Sequence, residues 1–129
     1  MAIRVVRLGS PRVRDEGVRL GTVRRPPRGV RKEDYARRDF YDQWLPELAP
    51  SAPLVSWLFA APITPARWAR FEKRYRAEMA QPGAQRLIGL LALLSVQTDF
   101  SVGCYCEDES QCHRSLLSRL LEEAGAVMA

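Results

Sequence analysis

The sequence predicts an α/β fold in which a small, mainly parallel sheet is flanked by helices, in a single domain over residues 1–129. Strand-like segments occur near the N-terminus and again after residue 99, and helical periodicity fills the middle of the chain. A leucine-rich helix follows the last strand, which is the order expected when helices pack on a sheet. A chain of 129 residues with 47 % hydrophobic residues is sufficient for one hydrophobic core.

The N-terminal part of the chain contains two candidate strands. Residues 3–8 mostly alternate and are β-branched, and residues 18–23 form a second, weaker strand pattern. Residues 3–8 are expected beside the later strand at 100–106, because both segments are short and apolar enough to lie centrally in a sheet. Two prolines exclude regular structure over 24–30, since proline lacks an amide donor and makes the preceding residue extended.

Three helices are expected in the middle of the chain. Ser51 predicts the cap of a short helix, and Thr64 followed by Pro65 predicts the start of the next, since proline suits the first helical position. This second helix has an apolar stripe at helical spacing, formed by Trp68, Phe71, Tyr75 and Met79. The dipeptide at 82–83 is expected to end it, and residues 84–96 to form a third helix. Both apolar faces predict core packing.

Residues 100–114 hold every cysteine and the only histidine of the chain. The predicted strand at 100–106 leads into an acidic loop at 107–111, and a helix then begins at Cys112 or Ser115. A strand–loop–helix corner of this kind is a common ligand-binding place in α/β proteins. The corner is therefore the predicted functional site.

The side chains of this corner are expected to gather from two elements. Cys104 and Cys106 are two residues apart on a strand, so their thiols point to one face. Ser110 is the predicted N-cap of the following helix, which places residues 112–114 in its first turn. Free amides and the positive end of the helix dipole lower the pKa of a thiol there and attract anions.

The spacing of the cysteines, the histidine and the arginine allows different chemical interpretations of the corner to be judged. A phosphatase loop needs an arginine six positions after its cysteine, and neither Cys104 nor Cys106 has one, so its strict form is excluded. A metal site would use four donors, which suffice for zinc or an iron–sulfur cluster: Cys104, Cys106, Cys112 and His113. Convergence of these four is expected to be difficult, because two are on a strand and two are adjacent on a helix.

Two further interpretations concern the thiols themselves. In a redox or nucleophilic site, Cys106 and Cys112 would form a reversible disulfide or supply the nucleophile, with His113 as a base. Adjacent helical side chains diverge, so His113 is expected to serve Cys104 or Cys106 better than Cys112. The remaining interpretation is three buried, inert thiols with a histidine on the surface.

Charge is distributed unevenly along the chain. Residues 1–38 contain twelve Arg or Lys and four acidic residues, for a net charge of +8, whereas residues 39–129 have a net charge of −3. A basic N-terminal third is compatible with nucleic acid or a phosphorylated ligand, although aromatic residues for base stacking are not interleaved with it. No apolar segment is long enough to span a membrane and no signal peptide is recognised, so a cytoplasmic protein without a membrane partner is expected.

Several motifs resemble those of one family across almost the whole chain. They are Ile3-Arg4-Val5, Arg25-Pro26-Pro27-Arg28-Gly29, Trp44-Leu45-Pro46-Glu47-Leu48-Ala49-Pro50-Ser51, Trp68-Ala69-Arg70-Phe71-Glu72-Lys73-Arg74-Tyr75 and the Cys112-His113-Arg114-Ser115 helix start. Together they resemble the DUF488 family, and in particular its YeaO-like branch of small proteins, although Pro26 stands where members often have tryptophan. The resemblance implies an α/β domain and no established activity.

The leading hypothesis is a pocket for a small anionic or nucleotide-like ligand at the corner from Cys106 to Arg114. Its walls are expected to be formed by Ser110, Cys112 and Arg114 on one side and by Arg7, Arg25 and Arg28 on the other. The first alternative is a thiol- or metal-dependent enzyme that uses Cys106, Cys112 and His113. The second is a basic module that associates with nucleic acid.

Overall fold

The computed structural model describes all 129 residues and contains one four-stranded sheet in which every strand pairing is parallel. The strands are β1 (Ile3–Arg7), β2 (Val18–Gly21), β3 (Gln43–Trp44) and β4 (Phe100–Cys104), in the spatial order β1-β4-β2-β3. The helices are α1 (Ala52–Phe59), α2 (Pro65–Met79), α3 (Pro82–Leu94) and α4 (His113–Glu123). The predicted α/β fold, a small parallel sheet flanked by helices, is confirmed.

Strand β4 is the centre of the sheet. It pairs with β1 on one side, where Ile3 is opposite Phe100, and with β2 on the other, where Val18 is opposite the same residue. All five residues of β4 are buried, as expected for a strand covered on both faces. The prediction that the N-terminal strand lies beside the strand after residue 99 is thus confirmed.

Local capping signals set the helix starts. Ser51 Oγ accepts a hydrogen bond from the Leu54 amide, and Thr64 Oγ1 accepts one from Arg67, so both predicted N-caps are confirmed. The expectation that residues 82–83 end the second helix was wrong, because α2 ends at Met79 and Pro82 is already the first residue of α3. Proline is tolerated there because the first helical position needs no amide donor.

The main core lies between the helices and one face of the sheet. Phe71, Tyr75 and Met79 of the α2 stripe are buried in it, as predicted, and Trp68 packs against it half-buried. Its other buried members come from the other three helices, from β1 and β4, and from the turn before α1: Ile3, Leu48, Leu54, Leu58, Ala84, Ile88, Leu91, Phe100, Val102, Leu116, Leu117 and Leu121. None of the four helices combines the length and the apolar character that a membrane span requires.

The opposite face of the sheet is filled by a buried ionic network. The fully buried Arg19 side chain forms a fork to Glu16, with Nε–Oε2 at 2.7 Å and Nη2–Oε1 at 3.0 Å. Arg19 also donates to the carbonyls of Ser10 and Asp39, and Ser101 of β4 donates to Glu16 at 2.8 Å. Two loops are therefore tied to the sheet through a single guanidinium group.

Candidate functional site

Three cysteine thiols converge at the carboxyl end of β4. The sulfurs of Cys104, Cys106 and Cys112 all lie within 4.8 Å of one another, and those of Cys104 and Cys106 are 3.7 Å apart. Cys104 is the last residue of the strand, Cys106 follows in the loop, and Cys112 precedes α4. The three sulfurs can meet because Cys112 is outside the helix, whereas His113 is not part of this group, in line with the expectation that all four donors would converge only with difficulty.

The start of α4 explains this convergence. Ser110 is not the N-cap, since its amide and hydroxyl both donate to the Asp108 carboxylate, which caps a short 3₁₀ turn over Glu109–Gln111. Cys112 is the N-cap instead, with extended backbone angles of φ −125° and ψ 143°. An extended residue at this position directs its side chain differently from a helical one, towards the end of the sheet.

His113 is buried beneath the thiols rather than on the surface, contrary to the interpretation as inert thiols with a surface histidine. Its Nε2 lies 2.6 Å from the carbonyl oxygen of Thr22 and must carry the proton, because a carbonyl only accepts. Burial lowers the pKa of His113 to about 4, so Nδ1 has a free lone pair at neutral pH. That nitrogen lies 3.9 Å from Cys112 Sγ, and the expected divergence of the two side chains is therefore absent.

Hydrogen bonding within the thiol cluster makes Cys106 the most acidic of the three thiols. Donation from Cys104 and Cys112 lowers the pKa of the Cys106 thiol, and the positive charge of Arg114 acts in the same direction. The same hydrogen bond raises the pKa of Cys104 to about 11, and hydrogen bonding to its two neighbours raises that of Cys112. Cys106 is also the least buried of the three, so the sulfur with the lowered pKa is the accessible one.

The thiols line a cavity of about 260 Å³ between the end of the sheet and α1. Most of the remaining lining is apolar and comes from Val23, Pro50, Ala52, Val55, Leu58, Phe59 and Phe71. This lining was missed in the sequence, since no local motif indicates that the α1 face would cover a corner formed some fifty residues later. Only the cap at Ser51 marked where that helix begins.

Two of the arginines predicted to bind a ligand are engaged elsewhere. Arg114 is buried and donates to the carbonyls of Val6, at 3.0 Å, and Cys106, at 2.8 Å. Arg7 is exposed, and it donates to the Tyr105 carbonyl and pairs with Glu107. Both side chains hold the loop after β4 in place and do not point free cationic groups into the cavity.

Arg25 and Arg28, unlike Arg7 and Arg114, leave their charged groups available for a ligand. Both are exposed and form no ion pair, and they line a second recess together with Pro26, Pro27, Phe40 and Tyr105. Arg25 and Tyr105 belong to the walls of the thiol cavity and of this recess, so the two spaces adjoin. The Tyr105 hydroxyl donates to the Arg25 carbonyl at 2.9 Å and fixes the boundary between them.

The predicted metal donors are only partly brought together. Three sulfurs within 4.8 Å satisfy the proximity that one soft metal ion requires, but His113 is not part of this group. Its Nε2 is occupied by Thr22, and its ring packs against Tyr75 with 5.7 Å between centroids. A metal site thus stays a prediction, with three cysteines rather than four donors.

Sequence comparisons agree with the motifs on which the resemblance was based. The family model DUF488-N3a, described as the active DUF488-N3 subclade, matches residues 3–125. Neither the curated proteins nor the solved structures contain a significant match. The matched range includes all four strands, all four helices and every residue of the thiol cluster. On this evidence the chain belongs to the DUF488 family.

Proposed function

We propose that the protein is a thiol-dependent enzyme in which Cys106 is the nucleophile. The observation that carries this proposal is the cluster of three thiols on the wall of a cavity, with Cys106 alone partly exposed. The sulfurs of the buried Cys104 and Cys112 lie within 4.8 Å of Cys106 Sγ and lower the pKa of the Cys106 thiol, which favours the reactive thiolate. The description of the matched subclade as active supports a catalytic role.

The two adjoining spaces suggest how a substrate is held. The cavity accepts a small, largely apolar group next to Cys106, and Arg25 and Arg28 offer unpaired positive charge at its edge. We therefore infer a small substrate with an apolar body and an anionic group. The Cys106 sulfur forms a bond to an electrophilic atom of this substrate, and the bond to the leaving group breaks with its electron pair departing on that group.

The thiol proposal predicts the order and pH dependence of alkylation by iodoacetamide. Cys106 is expected to react first and to remain reactive below pH 8. Because its pKa is lowered, the thiol stays deprotonated at pH values at which a free cysteine is protonated. Peptide mapping by mass spectrometry at each pH identifies the modified cysteine. A Cys106 profile with the midpoint of a free cysteine, about pH 8.5, contradicts the proposal.

Variants at Cys112 provide a matched control for this measurement. Cys112→Ala removes one donor to the Cys106 sulfur and is expected to move the alkylation profile to higher pH. Cys112→Ser keeps a hydroxyl donor at the same place and is expected to move it less. Equal profiles for the two variants would show that donation from position 112 does not stabilise the thiolate.

The anionic part of the proposed substrate is tested by reagent charge. Iodoacetate differs from iodoacetamide by one negative charge, so the ratio of their alkylation rates at Cys106 reports the local positive potential. Arg25→Gln is expected to lower this ratio about twofold to tenfold at low salt. Arg37→Gln is the control, because that exposed arginine already pairs with Asp34 at 2.8 Å. An equal decrease in both variants would indicate a general charge effect and no anion site.

A further inference from the structure

We propose that the site reduces small-molecule disulfides, with Cys106 as the attacking thiol and Cys112 as the resolving thiol. This inference rests on the proposed nucleophilic role of Cys106 and specifies the reaction that follows the first attack. Three thiols in mutual proximity hold more reducing equivalents than a simple nucleophile needs. Either Cys104 or Cys112 could complete the exchange, and the two differ in that only Cys112 has an imidazole nitrogen beside its sulfur.

Distance allows either neighbour to bond to Cys106. Cys104 Sγ lies 3.7 Å from it and Cys112 Sγ lies within 4.8 Å, so a disulfide of about 2.05 Å requires a sulfur movement of at most about 3 Å. Cys106 lies beyond the last residue of β4, and Cys112 precedes the first residue of α4. Neither backbone position is held in a strand or helix, and side-chain rotation can supply most of this movement.

Only Cys112 has a proton acceptor beside it. His113 donates its Nε2 proton to the Thr22 carbonyl, and its Nδ1 lone pair lies 3.9 Å from Cys112 Sγ. A thiol must lose its proton as it attacks, so a base at this position assists Cys112 specifically. The side chain of Cys104 forms its hydrogen bond with another sulfur, that of Cys106. The Thr22 carbonyl accepts the Nε2 proton of His113 and thereby orients the ring so that Nδ1 faces Cys112.

The exchange balances in two steps. In the first, the Cys106 thiolate attacks one sulfur of a substrate disulfide, the substrate S–S bond breaks, and one thiolate leaves. In the second, Cys112 attacks the Cys106 sulfur, its proton passes through His113 Nδ1 to the departing group, and the second substrate thiol is released. The substrate is reduced by two electrons and the protein is oxidised to a Cys106–Cys112 disulfide. A low-molecular-weight thiol restores both protein thiols by the reverse exchange.

The cavity defines the class of disulfide. Its volume of about 260 Å³ and its apolar wall fit a compact disulfide with aromatic or aliphatic substituents. The free Arg25 at the boundary fits a carboxylate on one substituent. A symmetrical aromatic disulfide with carboxylates, such as 5,5′-dithiobis(2-nitrobenzoate), has this chemistry and releases a coloured thiolate.

Reaction of the reduced protein with one equivalent of this reagent tests the inference. The wild-type protein is expected to release both coloured thiolates and to lose two hydrogens in mass, with peptide mapping joining Cys106 to Cys112. Cys112→Ser is expected to release one thiolate and to retain the other on Cys106. Cys104→Ser is expected still to release both, and a single release there would assign resolution to Cys104 and overturn the proposal.

The kinetics provide a second readout that does not depend on the Cys112 variant. His113→Gln retains a donor for the Thr22 carbonyl but offers no comparable base, so the second release is expected to slow severalfold and by no more than about 100-fold, the lower end of general base effects, because the lowered pKa of His113 makes it a weak base. The first release should keep its rate. If both phases slow equally, or if wild-type protein holds a stable adduct on Cys106, the resolving step is refuted. If a stable adduct forms but iodoacetamide still alkylates Cys106 of the free protein rapidly, only the resolving step fails and Cys106 remains the nucleophile. If this alkylation is slow, the proposed nucleophilic role of Cys106 is refuted as well.

Discussion

Replacing Arg19 with methionine is expected to lower the free energy of unfolding by about 3–5 kcal/mol, the usual cost of leaving one member of a buried ion pair alone. Methionine fills much of the same volume but donates no hydrogen bond. The Glu16 carboxylate would lose both bonds of its fork, and two loop carbonyls would lose their only side-chain donor. Urea unfolding at pH 7 measures the difference.

The matched control is the same replacement on the surface. Arg37→Met removes an ion pair to Asp34 of similar length, 2.8 Å, but this arginine is 73 % exposed, and the expected cost is below about 1 kcal/mol. Equal costs for the two variants would show that the buried network contributes no more than a surface pair. Since both proteins lose one arginine, a general effect of net charge cancels in the comparison.

The cost of the Arg19 replacement should also depend on pH. Burial tends to raise the pKa of Glu16, but hydrogen bonds from Arg19 and Ser101 outweigh it and lower this pKa to about 2. The ionised network of the wild-type protein therefore contributes fully above about pH 4.5 and is lost as pH falls towards 2. In the variant burial dominates and Glu16 protonates more readily, so the stability difference should shrink between pH 7 and pH 4.

Replacing Arg114 with methionine is expected to affect stability and reactivity together. The loss of its charged hydrogen bonds to Val6 and Cys106 should cost about 3–6 kcal/mol, because such bonds contribute about 1.5–3 kcal/mol each. Removing the positive charge should also raise the pKa of the Cys106 thiol, since Arg114 is one of the groups that lower it. Urea unfolding and the alkylation profile of Cys106 measure the two effects.

Arg114→Lys separates charge from geometry. Lysine keeps the positive charge but has no planar fork, so it cannot reach two carbonyls in the same directions. We expect it to restore much of the low-pH reactivity of Cys106 while remaining less stable than the wild-type protein. If lysine and methionine give the same alkylation profile, the charge of Arg114 does not act on the thiol, and its role is limited to holding the loop.

Local signals in the sequence predicted where the helices begin, but not the buried ionic network on the other face of the sheet. Ser51 and Thr64 were identified as caps because a helix start depends on a few neighbouring residues. The pairing of β1 with β4 followed from apolar content, which reflects burial directly. The buried Arg19 was not predicted, since an arginine in a strand is ordinarily exposed and only loops distant in sequence, at Ser10 and Asp39, complete its hydrogen bonds.

At the site, spacing predicted some contacts and misplaced others. Strand alternation over 100–106 predicted that Cys104 and Cys106 share a face; β4 ends at Cys104, but the two sulfurs are nevertheless in contact, at 3.7 Å. The error concerned Ser110 and Cys112, because a serine in a turn competes for several local donors and acceptors. Here the Asp108 carboxylate takes the Ser110 amide and hydroxyl, and the cap moves two residues along the chain. That shift turns Cys112 towards the other thiols.

The central position of β4 has a consequence for how the protein is made. β1 finds its strand partner only in β4, a segment separated from it in the chain by nearly one hundred residues. Contacts of such high sequence separation slow folding, and synthesis from the N-terminus leaves β1 without its partner until about residue 104 has left the ribosome. The thiol cluster needs both the end of β4 and the start of α4. Reactive cysteines are thus assembled only when the sheet that shields two of them is complete.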